Sequence, residues 1–267
     1  MAVSGVGSQS VNWLLSVSGA SKTLLEASIP YSNASLNHYI GKVPEQYVSK
    51  STALSMAKSA YFKGVKYHSD FSDVIGVSCT GAISTNRERK GANQAFIAMW
   101  SPKLKYVQHV SINKGSRTRA EEEELISSLI IKSIEEKTLG MSGLQVELAI
   151  SESSKIDQTE FTSDLDALIN NHIKSIELKG PKLIELDQGF KGGILSGSFN
   201  PMHQGHIALA QLASKILESP TVFEISVTNV DKDPLDSEEV TSRISQFNGR
   251  ETVFLTSAPL FSEKSEI

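Results

Sequence analysis

The sequence predicts an α/β fold. Apolar segments with the composition of buried strands, such as residues 74–79 and 221–227, alternate with segments that carry apolar residues at helical spacing. Short turns rich in glycine and serine stand where several of these strands end. Strands that alternate with helices in this way form layered α/β structures. The chain has 267 residues, 39% of them hydrophobic, so it can bury a core and has room for one large or two ordinary domains.

Residues 1–140 are predicted to form the first domain. In chain order we expect a helix around Val11 and Leu14, a strand at 24–29 that Pro30 stops, a short helix around Leu36 ending at Gly41, a helix at 49–61, a strand at 74–79, a hairpin of 95–100 with 105–112, and a helix at 117–137. The first turn of the last helix carries four glutamates, residues 121–124, which we interpret as a solvated N-terminus favoured by the helix dipole.

Residues 141–191 are predicted to be a partly structured bridge, because a structureless loop of that length is unusual in a compact chain. We expect a strand at 146–150, a helix at 161–169 and short apolar runs at 176–178 and 183–186. The second domain then covers residues 192–267. It begins with a strand, a helix at 203–217 and a second strand at 221–227, which predicts a parallel, right-handed βαβ unit. A helix at 237–247 and a strand at 252–257 follow.

The junction of the first strand and helix of this βαβ unit is the strongest candidate site. Residues 192–206 read GGILSGSFNPMHQGH, so a glycine-rich turn leads into His203 and His206. A helix N-terminus offers unpaired N–H groups and a positive dipole, which suits phosphate. Gly197 allows a close backbone approach, and both imidazoles can donate to phosphate oxygens. The alternative is a turn with two incidental surface histidines. No cysteine or carboxylate lies near them in sequence, so no metal site is expected.

The same segment matches the pattern G-x-F-x-P-x-H-x-G-H at every fixed position, namely Gly197, Phe199, Pro201, His203, Gly205 and His206. In this it resembles the HxGH nucleotidyltransferases, which include nicotinamide-mononucleotide, pantetheine-phosphate and cytidylyl transferases. The resemblance implies a Rossmann-like domain that takes ATP with Mg²⁺ as a substrate complex, and His203 and His206 as catalytic residues. It implies nucleotide or phosphate binding by Gly197, Ser198, Phe199, Asn200 and Gly205, and by Asp231 and Lys232 after the second strand.

Two later motifs of that family, Gly-x-Asp and Ile-Ser-x-x-x-x-Arg, do not follow the strand predicted at 252–257. We therefore expect residues 192–267 to be the N-terminal half of a transferase domain, in a chain that is truncated relative to its family. This leaves three functional hypotheses open. The chain is a nicotinamide-mononucleotide adenylyltransferase, a cytidylyl- or pantetheine-phosphate-type transferase, or a non-catalytic nucleotide-binding protein whose sites have been lost.

Residues 4–137 resemble the competence-damage-inducible (CinA) C-terminal domain, whose bacterial members deamidate nicotinamide mononucleotide. The matching pieces lie in the family's order: Gly19-Ala20-Ser21, Tyr31-Ser32-Asn33, Gly41, Thr80-Gly81, Lys90-Gly91 and Gly115-Ser116-Arg117. The resemblance implies a pocket with Ser21, Tyr31, Ser32, Thr80 and Arg117. It makes nicotinamide mononucleotide the expected acceptor for the second domain, and it implies a homo-oligomer through the first.

The sequence departs from the CinA pattern at catalytic positions. Leu36 stands where the family has a lysine, and residues 3–8 replace its Glu-Ser-x-Thr-Gly-Gly stretch. A serine nucleophile needs a base to accept its proton, and leucine cannot act as one. Deamidase activity is therefore not expected. The polar turns that carry Arg87, Lys90 and Arg117 either hold a phosphorylated ligand or are exposed loops of a structural domain.

Composition excludes several classes of function. The net charge of −4 and the pI near 5.9 argue against a nucleic-acid or membrane-surface partner. The one cysteine, Cys79, excludes an internal disulfide and is typical of a reducing compartment. We find no signal peptide and no segment long and apolar enough to span a membrane, and we expect a cytoplasmic protein.

Overall fold

The computed structural model describes residues 1–68, 74–86, 90–179, 182–185, 190–228, 235–247 and 251–264. The chain divides into two compact units, Met1–Glu160 (unit 1) and Phe161–Ile267 (unit 2). The segment 141–191, which we expected to be a bridge, is thus shared: its first part belongs to unit 1 and the rest to unit 2. None of the helices among the described residues has the length and hydrophobicity needed to cross a bilayer.

Unit 1 is a mixed sheet with helices on both faces. Its elements are β1 (Ala2–Ser4), α1 (Ser8–Leu15), a 3₁₀ turn (Ala20–Lys22), α2 (Asn33–Ile40), α3 (Lys50–Gly64), β2 (Gly76–Ala82), β3 (Asn93–Ser101), β4 (Leu104–Ile112), α4 (Arg119–Leu139) and β5 (Ser153–Glu160). The strands lie in the order β1-β2-β3-β4-β5. β1 is parallel to β2, and the remaining neighbours are antiparallel. The predicted hairpin of β3 with β4 is confirmed.

Alternating residues of β2 and β3 face the two helices that cover the sheet, as the two-residue period of a strand requires. Cys79 and Ile97 pack in one core with Ile126 and Ile130 of α4. On the opposite face the Ser78 hydroxyl donates to a carbonyl of α3, and Trp100 contacts Tyr61 edge to face with ring centroids 4.9 Å apart. Three layers therefore bury the central strands on both sides.

One glycine permits the close contact of α3 with β2. A Cβ atom at Gly76 would lie 1.9 Å from the carbonyl oxygen of Ala57, so a larger residue there would force the helix away from the sheet. The helix itself begins where the sequence predicts. The Ser49 hydroxyl accepts the amide of Thr52 at 3.2 Å as its N-cap. The predicted end of α2 at Gly41 is likewise confirmed, because this glycine has a φ of 72° in the left-handed region.

Unit 2 contains a second five-stranded mixed sheet. Its elements are α5 (Asp164–Ile169), β6 (Ser175–Lys179), β7 (Lys182–Glu185), β8 (Gly193–Ser196), α6 (Gln204–Leu217), β9 (Thr221–Ser226), α7 (Ser237–Ile244), β10 (Val253–Thr256) and α8 (Phe261–Lys264). The strand order is β7-β6-β10-β9-β8. β8, β9 and β10 are parallel, and β6 and β7 continue the sheet in antiparallel fashion. The α/β fold and the parallel β8–α6–β9 unit are confirmed.

Two predicted strands are wrong. Residues 146–150 form no strand; Val146 and Leu148 instead pack against the core of unit 1 from a connecting segment. The strand of this region is β5, whose polar and exposed residues pair with β4 through their backbone. Residues 24–29 contribute only a single bridge, between Ala2 and Ser28. Leu25 and Ile29 of this segment are exposed, so its apolar residues do not mark a buried strand.

Candidate functional site

The glycine-rich turn of unit 2 connects the end of β8 to the start of α6. Ser196 ends β8, and His203 is the N-cap of α6 with an extended backbone. Within the turn, the Asn200–Pro201 peptide bond is cis, and Phe199 has a φ of 43°. A left-handed backbone at a non-glycine residue costs on the order of 1–3 kcal/mol and is found where surrounding structure enforces it. The backbone at Phe199 is therefore held in an uncommon conformation, within a predicted site.

Aromatic packing stabilises that conformation. The Phe199 side chain is only 3% exposed. Its ring meets those of His206, Phe223 and Phe247 edge to face, with centroids 5.1, 5.3 and 5.7 Å apart. A Cβ atom at Gly197 would lie 2.8 Å from the Phe199 ring, so the glycine makes room for that ring. Phe199 thus belongs to the core of unit 2, although the resemblance implied that it binds nucleotide.

The two histidines of the motif lie side by side at the start of α6. Their rings are stacked, with centroids 3.7 Å apart and planes 21° from parallel. The backbone N–H of His203 donates to Nδ1 of His206 at 3.3 Å. Because Nδ1 accepts this hydrogen bond, a neutral His206 carries its proton on Nε2. Gly205 accommodates the pair, since a Cβ atom there would lie 3.1 Å from the His203 ring.

Several backbone donors of this region remain available to an anion. Gly197 does not contribute one, because its N–H donates to the carbonyl of Glu224 at 3.1 Å. Within the described part of the chain, the N–H groups of Ser198, Gln204 and Gly205 donate no hydrogen bond. These groups and the two imidazoles surround the positive end of the α6 dipole, where negative charge is stabilised.

Three polar side chains from α7 and its C-terminal turn contact the glycine-rich turn, and the sequence did not reveal them. Gln246 accepts the amide of Met202 at 2.8 Å, and Glu239 accepts the side-chain amide of Asn200 at 3.3 Å. Arg243 binds Glu239 at 2.8 Å. The spacing of Glu239 and Arg243 indicates an i,i+4 helix pair. The contacts with the glycine-rich turn join residues 39 and 44 positions apart in sequence. The local spacing of Glu239 and Arg243 therefore does not indicate them.

A buried ion pair lies beside the end of β8. Glu224 of β9 is 1% exposed and accepts from Lys264 of α8 at 2.7 Å and from the hydroxyl of Thr256 at 2.5 Å. The Lys264 ammonium also donates to the hydroxyl of Ser196 at 3.4 Å. A glutamate inside the apolar run of β9 is the one sequence signal that could have indicated a paired buried charge. The predicted nucleotide-proximal residues Asp231 and Lys232 lie outside the described residues, as does Arg87 of unit 1.

The residues implied for a pocket in unit 1 make hydrogen bonds within the protein or point to solvent. Tyr31 is 68% exposed, and Ser21 lies exposed in the 3₁₀ turn. The Ser32 hydroxyl accepts the amide of Ser35 as the N-cap of α2, at 3.2 Å, and Thr80 donates to the carbonyl of Tyr47 at 2.8 Å.

Arg117, the remaining residue of that set, forms two hydrogen bonds with Glu152, of 2.7 and 2.9 Å. Hydrogen bonding to the guanidinium holds the pKa of the Glu152 carboxyl below its usual value. Leu36, at the position of the family's lysine, is buried in a small core with Ala2 and Met56. This position therefore places an apolar side chain in the interior, without any group that could accept a proton.

A carboxylate of unit 1 itself binds the turn between β1 and α1. The carboxylate of Glu123 on α4 accepts from the amide of Gly7 at 3.0 and 3.1 Å, from the Ser8 hydroxyl at 2.9 Å and from the Gln9 amide at 3.1 Å. Glu122 is fully buried and accepts from Ser84 and Asn93. The interpretation of residues 121–124 as a solvated N-terminus is therefore wrong for these two glutamates, because they bind the loops at the ends of β1 and β2.

A surface cavity of about 280 Å³ lies elsewhere in unit 1, beside α2 and α3. Ser35, His38, Tyr39 and Lys63 are among its lining residues, and none of the pocket residues implied by the resemblance lines it. Among the described residues we find no cluster of three or more histidine, cysteine or carboxylate side chains that could bind a metal ion. Compared with models of known protein families and with curated protein sequences, the chain shows no match.

Proposed function

We propose that unit 2 is a nucleotidyltransferase module of Rossmann-like architecture, and that it transfers the adenylyl group of ATP to nicotinamide mononucleotide. The observation that supports this proposal best is the stacked pair of His203 and His206 at the N-terminus of α6, directly after a parallel strand. Open α/β sheets bind ligands outside the carboxyl ends of their strands, and this junction lies at such an end. The motif resemblance supplies the reaction class.

In the proposed reaction, a phosphate oxygen of nicotinamide mononucleotide attacks the α-phosphorus of ATP. A new phosphorus–oxygen bond forms, the bond from the α-phosphorus to the bridging oxygen breaks, and pyrophosphate leaves with the electron pair. No proton transfer from the acceptor is required, because the attacking phosphate oxygen is already ionised. Such chemistry depends on positioning and on neutralising charge that develops in the transition state.

The described residues can supply that neutralisation. His206 presents Nε2–H as a donor, since its Nδ1 is held by the His203 amide. The N–H groups of Ser198, Gln204 and Gly205, which donate to no group among the described residues, add donors for the triphosphate. Magnesium enters with ATP as part of the substrate complex and screens its charge.

The proposal is tested by incubating the full chain with ATP and nicotinamide mononucleotide and measuring pyrophosphate release. Parallel reactions contain ATP with phosphopantetheine, or CTP with a phosphorylated alcohol, which separates the three transferase types. We expect release only with nicotinamide mononucleotide, and a loss of about 100-fold or more in kcat for His206→Ala. His38→Ala, an exposed histidine of unit 1, is the matched control. Unchanged turnover in His206→Ala would contradict the assignment.

The second candidate function is a non-catalytic nucleotide-binding protein, and unit 1 provides the observation that favours it. In unit 1, Glu123 already binds the turn before α1. The buried Leu36 stands at the position where the CinA family has a lysine. We therefore propose that unit 1 is a CinA-like structural domain in a cytoplasmic protein, and that it mediates self-association. Calorimetric binding of ATP by the full chain, with no pyrophosphate release from any acceptor, would favour this candidate over the transferase.

A further inference from the structure

The glycine-rich turn between β8 and α6 depends on side chains from a later part of the chain. The amide of Met202 donates to the side-chain oxygen of Gln246 at 2.8 Å, a contact between residues 44 positions apart. Met202 directly precedes His203, the N-cap of α6. The hydrogen bond therefore fixes the backbone immediately before the two histidines.

A second contact from α7 holds the middle of the turn. Oε1 of Glu239 accepts from the side-chain amide of Asn200 at 3.3 Å and from Arg243 at 2.8 and 2.9 Å. The Arg243 guanidinium in turn lies 3.5 Å from the carbonyl oxygen of Ser198. The Arg243 side chain is only 15% exposed, whereas that of Glu239 is 41% exposed. The turn is thus contacted at Ser198, Asn200 and Met202 by side chains of one helix and its end.

The turn cannot hold this geometry by its own hydrogen bonds. Phe199 has a left-handed backbone, and several amides of the turn donate to no group among the described residues. A segment of this kind adopts one conformation only when neighbouring structure determines it. Here the neighbours are the aromatic cluster beneath Phe199 and the polar side chains of α7.

We propose that Gln246 and the Glu239–Arg243 pair are positioning residues, which hold residues 198–202 in the conformation that directs the histidines toward phosphate. That the histidines face phosphate rests on the proposed function. That these side chains fix the conformation of residues 198–202 does not depend on it. Gln246 acts on the site through the Met202 amide, whose hydrogen bond it accepts. Glu239 acts through Asn200 and through the orientation of Arg243.

The first test measures hydrogen exchange at the Met202 amide of the full chain by NMR. Gln246→Met keeps the approximate shape of the side chain and removes the acceptor. We expect exchange to accelerate about five- to tenfold, as for the loss of one hydrogen bond. Gln246→Glu retains an acceptor and should restore protection. Equal protection in the wild type and in Gln246→Met would overturn the proposal, and so would a failure of Gln246→Glu to restore it. This readout needs neither ATP nor activity.

The second test compares Glu239→Ala with Glu238→Ala, the same change at the exposed neighbouring residue. We expect the Kd for ATP, measured by calorimetry, to rise about tenfold in Glu239→Ala and to remain unchanged in Glu238→Ala. Unchanged or tighter binding in Glu239→Ala would overturn the proposed role. If the wild type itself binds no ATP, the proposed function fails, and the exchange experiment alone decides the positioning role. If Glu239→Ala does not fold, Gln246→Met provides the same comparison.

Discussion

The carboxylate of Glu123 lies 3.0 Å from the amide nitrogen of Gly7, at the first turn of α1. A glycine turn before a helix is the usual place for a bound anion, and in this unit a residue 116 positions later in the chain supplies it. The contact connects α4 to the end of β1. It also makes the turn between β1 and α1 part of the structural framework of unit 1.

We predict that Glu123→Ala lowers the free energy of unfolding by about 2 kcal/mol, because several donors of the α1 turn lose a charged acceptor. Urea denaturation of the full chain measures the change. Glu124→Ala, an exposed glutamate on the same helix, is the control and should alter stability by less than about 0.5 kcal/mol. Equal stabilities of the two variants would show that the Glu123 contacts contribute nothing.

A second prediction concerns the thiol of Cys79. The side chain is fully buried, and burial together with the negative charge of Glu123 raises its pKa far above the usual value. Only the thiolate reacts readily with disulfide reagents. We therefore expect no reaction with Ellman's reagent in the native protein and full reaction in urea. Rapid labelling under native conditions would contradict the packing of β2 against α4.

The Arg117–Glu152 pair predicts a pH dependence. The hydrogen bonds from Arg117 depress the folded-state pKa of Glu152. The pair therefore adds stability above the unfolded pKa, about 4.3, and that stability is lost as the pH falls through the depressed value. We expect Glu152→Gln to reduce the loss of stability on acidification, measured by urea denaturation from pH 6 to pH 3. Glu147→Gln, at an exposed position, should leave the profile unchanged.

The buried pair of Glu224 and Lys264 predicts a non-additive response to mutation. Lys264→Met leaves a nearly inaccessible carboxylate without its cation, which typically costs about 3–5 kcal/mol. The double variant Glu224→Gln with Lys264→Met removes both charges and should recover part of that loss. Thermal or urea unfolding of Lys264→Met, Glu224→Gln, the double variant and the wild type gives the comparison. Lys215→Met, an exposed lysine of α6, is the control, and additive losses would argue against coupling.

The elements that the sequence predicted well are those whose apolar residues face a core at a regular period. The hairpin of β3 and β4 alternates between the two buried faces of the sheet, and the apolar positions of α4 recur at helical spacing. β5 escaped prediction because its exposed, polar residues carry no such period; it is a strand only through its backbone pairing with β4. Residues 146–150 show the opposite case, in which apolar residues pack without a partner strand.

The candidate site was predictable only in its local part. Residues three positions apart at the start of a helix lie on one face, so proximity of His203 and His206 follows from the sequence. The edge-to-face contact of His206 with Phe199, by contrast, depends on the fold of the unit. Glu123 and Gln246 reach their partners across more than 40 positions of sequence, so nothing in the local pattern marks them.

The position of Phe199 has a consequence for how this protein can vary. The same ring fills the interior of unit 2 and sets the path of the turn before the histidines. A change of volume at Phe223 or Phe247 would therefore be transmitted to residues 198–202 without any contact to a ligand. A replacement in this part of the core is therefore tolerated only if the turn keeps its geometry. We expect replacements at Phe199, Phe223 and Phe247 to occur together and to compensate one another in volume.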